Sequence, residues 1–472
     1  MTPVFRRDPA SFRDPSGYVF SDGARILRSV GPAARVEFEA AAASGLLQAA
    51  GERGLLIASE PVAPGSVALD AAGARGEAAQ YLLEHPRLPL ITYPYEWTFS
   101  QLQDAALAHL DLQLLALEHG FELSDATAYN MQFGVRGPLH IDVLSLRRYR
   151  EGAPWQGYNQ FCRQFLFPLL LESERGMAFQ QVYRGSMAGI ELPFMQSVLP
   201  AWRRWTRLNL LMHVQLQAAA VRKASSSDLS GQALRLPDVP RPRYQAMLQG
   251  LRDWIAGMRS GRPQTYWSEY AAINSYADEE KQRKQAFVTG TVRGWGSTSV
   301  MDVGGNAGDY SACALAGGAR HAWCVDSDVD ALELAYRKRK ERGVSLLPLV
   351  MNWSDPSPGQ GWGGRERRPL HERARPDAVL ALAVVHHIVI GGNVPMAAFV
   401  EELFRHAPRV LVEFVPRSDA MVQGLLRGRD DIFGDYTEEN FAELLKARGR
   451  IESVCRLREG GRVLFACVAE GA

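Results

Sequence analysis

Apolar and amphipathic segments alternate through the second half of the chain. Short apolar runs predict buried strands, the first starting at Val300 and the next four at 321–326, 346–351, 377–385 and 409–415. Apolar positions recur at helical spacing between them, over 329–342, 395–406 and 437–448. Such alternation is typical of a parallel sheet covered by helices on both faces. The last apolar runs, 451–457 and 463–468, flank a glycine turn and predict an antiparallel hairpin.

The first half of the chain shows a less regular pattern. Amphipathic helices are predicted at 159–174 and 198–223, before a serine- and proline-rich stretch at 224–243 interrupts the helical pattern. We therefore predict an α+β domain at 1–235 and an α/β domain at 243–472. The second domain would begin with a helical lead-in at 243–290.

The first predicted strand of the second domain runs into a turn of small residues. Its notable positions are Asp302, Gly304, Gly305, Asn306, Gly308 and Tyr310. The neighbouring strand ends in the acidic sequence Asp326, Ser327, Asp328. A glycine turn allows close approach of backbone to a ligand, and a carboxylate at the next strand tip can accept bonds from ribose hydroxyls. The pair predicts a nucleoside pocket.

The glycine spacing argues against a dinucleotide as the ligand. A pyrophosphate site needs glycines at the first, third and sixth positions of the turn, which here hold Gly304, Asn306 and Asp309. Asparagine can adopt a left-handed conformation, but the Asp309 carboxylate would repel a pyrophosphate. NAD is therefore disfavoured.

The sequence Asp302-x-Gly304-x-Asn306-x-Gly308 resembles motif I of class I S-adenosylmethionine (SAM)-dependent methyltransferases, and the resemblance extends over roughly 265–472. It implies a Rossmann-like methyltransferase sheet with an antiparallel terminal hairpin and SAM as cofactor. In that family the turn wraps the methionine part of SAM and the acid ending the second strand binds ribose. By position that acid is Asp326, with Asp328 as its rival.

Further cofactor contacts are expected from segments around the same sheet edge. The long loop 352–362 would border the adenine, through Asn352 or Asp355, with Trp353 beside them. Ala383, in the fourth apolar run, is a further candidate. Aromatic residues recur at helical spacing before the sheet, where Tyr266 and Tyr270 form either ordinary packing or a lid over SAM.

Three side chains near the strand ends are candidates for catalysis. His386 and His387 follow the fourth apolar run, and Glu413 lies in the fifth. A histidine could remove a proton from the methyl acceptor, or both could be structural. Because neighbours on a strand point to opposite faces, only one histidine is expected in the site, and His386 is slightly favoured. Glu413 would hold the acceptor or pair with an arginine.

A second resemblance lies in the first half of the chain. Asp125, Asn130 and Asp142, with a hairpin between the last two, are similar to the catalytic loop and metal-binding segment of protein-kinase-like folds. Leu123 replaces the usual histidine, and Arg28 stands where a nucleotide-binding lysine is expected. The resemblance implies a degenerate kinase-like domain that recognises the acceptor or serves as a scaffold. A bifunctional kinase-methyltransferase is the alternative.

Composition limits the remaining choices. The 472 residues carry a net charge of +1, with acids and bases interspersed, which disfavours nucleic acid as a partner. Five cysteines without a C-x-x-C pair predict buried thiols and no metal site. No apolar run reaches membrane-spanning length, and no signal peptide is evident, so a cytoplasmic protein without membrane partners is expected.

These observations favour a small-molecule, natural-product or glycan substrate. The order of the two parts also resembles bacterial two-part methyltransferases, some of them linked to nodulation. A non-catalytic SAM-binding protein is a further alternative, and the acceptor atom and oligomeric state stay open.

Overall fold

The computed structural model describes residues 4–63, 67–69, 81–217, 239–262, 278–428 and 430–471. The chain forms two compact units: the first comprises Met1–Pro263 and Gly359–Arg367, and the second Gln264–Pro358 and Arg368–Ala472.

The first unit ends later than the sequence predicts. The helix Arg241–Gly257, which the sequence assigns to the second domain, packs on the helix Phe99–Glu118 of the first unit. Gln113 Nε2 donates a hydrogen bond to Tyr244 Oη at 2.8 Å. The amphipathic sequence of this helix shows that one face is buried. It does not show which unit buries that face, and this is why the predicted boundary lies too early.

The described part of the first unit is α+β, as predicted. Its strands are β1 (Val4–Arg7), β2 (Val19–Ser21), β3 (Ile26–Val30), β4 (Glu60–Val62), β5 (Ala68–Leu69), β6 (Tyr81–His85), β7 (Phe121–Leu123), β8 (Met131–Gly134), β9 (Gly137–His140) and β10 (Leu146–Arg148). Six of these described strands form a sheet in the order β4-β6-β3-β2-β1-β5, and β7 pairs with β10 and β8 with β9.

Helices complete the described part of this unit. They are Pro32–Ala43, Leu46–Glu52, Phe99–Glu118, Tyr158–Phe161, Phe167–Arg175, Gln180–Arg184, Leu192–Val198, Ala201–Thr206, Leu208–Leu210 and Arg241–Gly257, with π-helical turns at Cys162–Leu166 and Leu211–Leu216. The helix predicted at 159–174 is confirmed. The single helix predicted at 198–223 is wrong: Pro200 separates Leu192–Val198 from Ala201–Thr206, and the extended backbone of Arg207 separates that helix from the one that begins at Leu208. Residues 218–223 lie outside the described part.

The strands of the second unit are β11 (Ser299–Val303), β12 (His321–Asp326), β13 (Leu346–Val350), β14 (Ala378–Ala381), β15 (Arg409–Phe414), β16 (Gly449–Arg456) and β17 (Val463–Ala469). In the described residues they form one sheet in the order β13-β12-β11-β14-β15-β17-β16. β11 to β15 are parallel, and β17 is antiparallel to both of its neighbours. The predicted parallel sheet with a terminal hairpin is confirmed.

Helices cover this sheet. They are Asp278–Trp295, Asp309–Ala316, Val329–Arg342, Leu370–Arg373, Met396–His406, Ala420–Leu426 and Glu438–Lys446 in the described part of the unit. Those predicted at 329–342, 395–406 and 437–448 are confirmed to within a residue or two at their ends. On one face Val288 and Val292 pack against Val300, Leu380 and Leu411. Apolar residues of Val329–Arg342 meet β12 and β13 in a separate cluster. The two layers fix the strand ends at one edge of the sheet.

Strand β14 is shorter than predicted. It ends at Ala381, whereas the apolar run continues to Val385, and Ala383 adopts φ of 55°. An apolar run alone does not distinguish a buried strand from a buried turn or helix. The chain leaves the sheet here and enters the π-helical turn His387–Gly391.

Candidate functional site

A cavity of about 430 Å³ opens at the carboxyl end of the parallel strands of the second unit. Its volume falls within the range of about 300–1,000 Å³ that small-molecule sites occupy. Sequence-predicted residues that line it are Gly304, Gly305, Asn306, Tyr310, Asp326, Ser327, Asp328, Asn352, Trp353, Ala383, His386 and His387. The fold thus brings together residues from four separate segments.

The glycine turn after β11 has a left-handed backbone at alternate positions. The φ angles are 69° at Gly304, 48° at Asn306 and 78° at Gly308. A Cβ on Gly304 would lie 2.2 Å from Cγ2 of Val384, so this turn has no room for a side chain. Glycine is therefore required at Gly304 on both conformational and steric grounds.

Asp326 is fixed where the turn meets the end of β12. Its Oδ2 accepts a hydrogen bond from the Asn306 amide at 2.9 Å, and its Oδ1 accepts one from the Asp328 amide at 2.9 Å. Burial raises the pKa of this carboxyl, and the amide bonds partly oppose that rise. Each oxygen keeps a lone pair for a further donor.

Asp328 also lines the cavity, but its carboxylate has another structural role. Oδ1 accepts hydrogen bonds from the amides of Asp330 at 2.9 Å and Ala331 at 3.0 Å, capping the helix Val329–Arg342. Of the two carboxylates, Asp328 is therefore the one that caps a helix.

Asp302 and Gly308 stand behind the cavity wall. Ser311 Oγ donates a hydrogen bond to Asp302 Oδ2 at 2.7 Å. Burial raises the pKa of Asp302 to about 7. Gly308 precedes the helix Asp309–Ala316 as its N-cap. Both residues shape the turn without lining the cavity.

Both histidines line the cavity, contrary to the expectation that only one would. The reason is that β14 has already ended, and His386 has helical φ and ψ of −69° and −31°. Successive residues on a helical turn do not point to opposite faces as they do on a strand. Their ring centroids lie 4.1 Å apart.

The buried environment keeps both imidazoles neutral. Burial, with His387 as the next cause, lowers the pKa of His386 to about 3. Burial, followed by the positive charge of Arg462, lowers the pKa of His387 below its usual value. Within the described ranges, His386 Nδ1 has no hydrogen-bond partner. A neutral, buried imidazole beside a cavity can accept a proton.

Glu413 does not line the cavity but lies beneath it in an ion-pair network. Its Oε2 accepts a hydrogen bond from Lys284 Nζ at 2.6 Å, and Oε1 lies 3.9 Å from Arg462 Nη1. Arg462 Nε also donates to Asp419 Oδ2 at 2.9 Å. Of the two expected roles for Glu413, the structure favours pairing with cations over direct contact with an acceptor.

Several residues around the cavity were not predicted from the sequence. They are Lys284, Asp309, Met351, Ser354, Met421 and Arg462. Arg462 could have been found from strand pairing, because β17 begins opposite the end of β15, with Val463 facing Phe414. Lys284 had no such signal, since it stands in a helix rich in charged residues.

The loop after β13 is divided between the two units. Asn352 Oδ1 accepts a hydrogen bond from the Ser354 amide at 2.9 Å, and the Trp353 ring lies 4.8 Å from that of His406. Asp355 is not among the residues that line the cavity. Tyr266 and Tyr270 lie outside the described residues.

The segment 359–367 completes the first unit. Gln360 Nε2 donates to the Arg184 carbonyl at 2.7 Å, and Glu366 forms an ion pair with Arg13 at 2.6 Å. The Arg367 guanidinium lies 4.4 Å from the centroid of the Tyr129 ring.

The kinase-like residues of the first unit also lie together. Asn130 Nδ2 donates to Asp125 Oδ2 at 3.2 Å. Arg28 Nη2 lies 3.3 Å from Asp142 Oδ1 and also forms an ion pair with Asp14. Burial raises the pKa of Asp125, and the neighbouring charge of Asp142 raises it further. Asp142 therefore faces a guanidinium that competes with any cation.

Two features are absent from the part of the chain that the structure describes. No group of three or more His, Cys, Asp or Glu side chains there could hold a metal ion. No helix in those ranges is long and apolar enough to cross a bilayer.

The sheet order, the glycine turn and Asp326 define a Rossmann-like fold of the methyltransferase type. No protein-family model matches the chain. The chain belongs to the family of nodulation protein NoeA: it is 41% identical to NoeA of Rhizobium meliloti (strain 1021) over 465 residues, which cover 97% of this chain and 95% of NoeA.

Similarity to solved structures is more distant. The N-methyltransferase NodS from Bradyrhizobium japonicum WM9 matches 41% of this chain and 97% of its own, with 9% identity and a TM-score of 0.31. The bifunctional kinase-methyltransferase WbdD matches 43% of this chain and 41% of its own, with 15% identity and a TM-score of 0.29.

Proposed function

We propose that the chain is a SAM-dependent methyltransferase whose acceptor is a small molecule, natural product or glycan. The observation that carries this proposal is that the glycine turn, Asp326 and His386 line one cavity. Each group has a separate task in methyl transfer, and their meeting from distant parts of the sequence supports a common ligand.

The residues present fit SAM. The backbone of Gly304 and Gly305 would lie against the methionine part, because the turn has no side chains there to exclude it. Asp326, with one lone pair left on each oxygen, would accept hydrogen bonds from the ribose hydroxyls. Asn352 and Trp353 would border the adenine. When bound, SAM would supply an electrophilic methyl group, which an acceptor atom would attack in line as S-adenosylhomocysteine leaves with the electron pair of the carbon–sulfur bond.

His386 is the proposed general base. An acceptor hydroxyl must lose its proton as its lone pair attacks the methyl carbon, whereas a protonated amine must lose a proton first, because only then does it have a lone pair; a neutral imidazole can receive the proton at a ring nitrogen. Burial lowers the pKa of His386 to about 3, so the imidazole is neutral at neutral pH, and because it is then a weak base it is suited to a proton that becomes acidic as the new bond to the methyl carbon forms. Lys284 and Arg462, which pair with Glu413 and Asp419, carry positive charge near His386. Their charge would repel the protonated imidazole and favour rapid loss of the proton.

The first unit is proposed as a scaffold or acceptor-recognition domain with a degenerate kinase-like fold. The ion pair of Arg28 with Asp142 supports this over an active kinase, because it neutralises the carboxylate that would bind magnesium. ATP turnover by the full-length protein that Asp142→Ala abolishes would support the bifunctional alternative instead.

The relationship to a nodulation protein suggests where the acceptor should be sought. We propose metabolites and glycans made by nodulating bacteria, fractionated and incubated with the protein and methyl-labelled SAM. Transfer of label to one fraction, lost in the His386→Gln variant, is expected. If calorimetry shows SAM binding but no fraction ever yields S-adenosylhomocysteine, the non-catalytic SAM-binding alternative is favoured. Absence of SAM binding would contradict both.

A further inference from the structure

Part of the first unit exposes an unusual set of large apolar side chains. Trp202, Trp205, Leu208, Met212 and Leu216 are 62%, 60%, 69%, 41% and 53% exposed. We call these five residues the tryptophan face. Trp202 and Trp205 are three residues apart on the helix Ala201–Thr206, so they share one side of it. Leu208, Met212 and Leu216 are four residues apart on the helical stretch 208–217 and share one side of that stretch, and the extended backbone of Arg207 separates the two sets. Exposed apolar patches of this kind mark interaction sites.

The other side of the stretch 208–217 is packed into the first unit. Leu210, His213 and Val214 are buried, and His213 Nδ1 lies 2.7 Å from the Tyr158 hydroxyl. Burial lowers the pKa of His213 to about 4. The stretch is therefore anchored by its inner side, while the tryptophan face remains outside.

The charged side chains of the segment 192–217 are all positive or neutral. No aspartate or glutamate occurs between 192 and 217, whereas Arg203, Arg204 and Arg207 lie among the exposed apolar residues. Arg203 and Arg207 share the single carboxylate of Glu174, at 3.0 and 2.6 Å. Arg204 donates to the neutral amide of Gln215 at 3.0 Å. Three guanidinium groups facing one carboxylate leave a net positive charge beside the tryptophan face.

We infer that the tryptophan face binds the surface of an anionic phospholipid bilayer. Tryptophan favours the bilayer interface, where its ring meets acyl chains and its N–H meets headgroups. Arg203, Arg204 and Arg207 are attracted to anionic lipid, which supplies the negative charge that the segment 192–217 lacks. Leu208, Met212 and Leu216 extend the apolar contact along the interface, as in helices that lie in its plane. The inference does not depend on methyl transfer.

Vesicle co-sedimentation of the full-length protein tests this inference. We expect binding to phosphatidylcholine vesicles that contain phosphatidylglycerol, weaker binding to phosphatidylcholine alone, and release as salt rises. Trp202→Ser combined with Trp205→Ser should reduce binding about tenfold or more. Trp362→Ser is the matched control, because Trp362 is a 74% exposed tryptophan elsewhere in the same unit and should leave binding unchanged.

The contribution of the arginine charge and the insertion of the tryptophan rings can be tested separately. Arg204→Gln should weaken binding to the anionic vesicles about fivefold, without the loss of apolar contact. Lipids with brominated acyl chains should quench fluorescence of the wild-type protein. Trp202→Phe with Trp205→Phe should retain most binding and lose that quenching, which shows directly that these rings enter the interface.

Three outcomes would overturn the inference. The wild-type protein could fail to bind anionic vesicles, or the double serine variant could bind as well as wild type. Alternatively, sedimentation velocity could show a dimer that the serine substitutions dissociate, with no vesicle binding. The last result would assign the tryptophan face to a second copy of the chain.

Discussion

Lys284 Nζ donates a hydrogen bond of 2.6 Å to Glu413 Oε2, and the side chains are 1% and 0% exposed. Burial lowers the pKa of Lys284, and the Glu413 carboxylate opposes that effect. The Lys284 ammonium also lies 4.5 Å from the centroid of the Tyr310 ring, at the cavity wall. The pair joins the helix before the sheet to strand β15.

Removal of one partner of this pair should strongly destabilise the second unit. Lys284→Met removes the 2.6 Å ion pair of the buried Glu413 carboxylate, and we expect a loss of about 3–5 kcal/mol in the free energy of unfolding. Urea denaturation would measure it. Lys446→Met, which removes an exposed partner of Glu443, is the control and should change stability little.

Replacing both partners should restore part of that stability. Lys284→Met with Glu413→Leu removes the two charges together, so the coupling measured by a double-mutant cycle should be large and favourable. Additive losses would show that the two groups do not depend on each other.

The glycine turn should tolerate no side chain at Gly304. Gly304→Ala adds strain at φ of 69° and a clash with Val384, and should cost several kcal/mol in stability. Gly296→Ala is matched for backbone strain, because φ is 60° and the added methyl meets no atom within 4 Å. Thermal unfolding of both variants separates the clash from the strain. Val384→Ala added to Gly304→Ala should recover part of the difference.

Asp326 and Asp328 should respond differently to alanine. Asp326→Ala is expected to weaken SAM affinity at least about tenfold, since two ribose hydrogen bonds would be lost. Asp328→Ala removes a helix cap and should cost about 1 kcal/mol of stability with a smaller effect on affinity. Calorimetric titration with SAM and denaturant unfolding of each variant measure the two effects. Equal loss of affinity would contradict the assignment of Asp326.

Asp302 should make stability depend on pH in an unusual direction. Its native pKa of about 7 lies above the value of 3.8 expected without burial, so the folded state favours the protonated carboxyl. Its contribution is fully present below about pH 4 and is lost as pH rises towards 7 and beyond. The change corresponds to about 4 kcal/mol. Relative to Asp302→Asn, the wild-type protein should lose stability across that window in urea denaturation, and parallel pH profiles would contradict the prediction.

Much of the second unit follows from its sequence because each element has a strong local signal. The helix Val329–Arg342 has the predicted bounds, since Asp328 caps its start and Gly343 ends it with φ of 63°. The parallel direction of β11 to β15 and the antiparallel final hairpin follow from the helical connections and from the short glycine turn. The cavity residues on the turn after β11 were predicted because short strand-to-helix turns hold most of them.

The misses have physical reasons. The apolar run that contains β14 continues past the end of the strand. Its composition therefore gives no indication that the chain has left the sheet before His386 and that this residue lies in a helical turn. Lys284 enters the site from a helix that precedes the sheet, through an ion pair with Glu413 at a sequence distance of 129 residues. Long-range pairing of buried charges leaves no local pattern that a single sequence can show.

The passage of residues 359–367 into the first unit has a consequence for how this protein can be divided or rearranged. The first unit is built from two stretches of chain, and the second unit supplies both ends of the shorter one. No single cut of the polypeptide therefore releases two whole units. A gene split at residue 263 would encode a first part without the partners of Arg13 and Arg184, and a second part with nine foreign residues in a loop. Recombination that exchanges either unit must preserve the points near residues 359 and 367 where the chain enters and leaves the first unit. The two units are therefore expected to be inherited together.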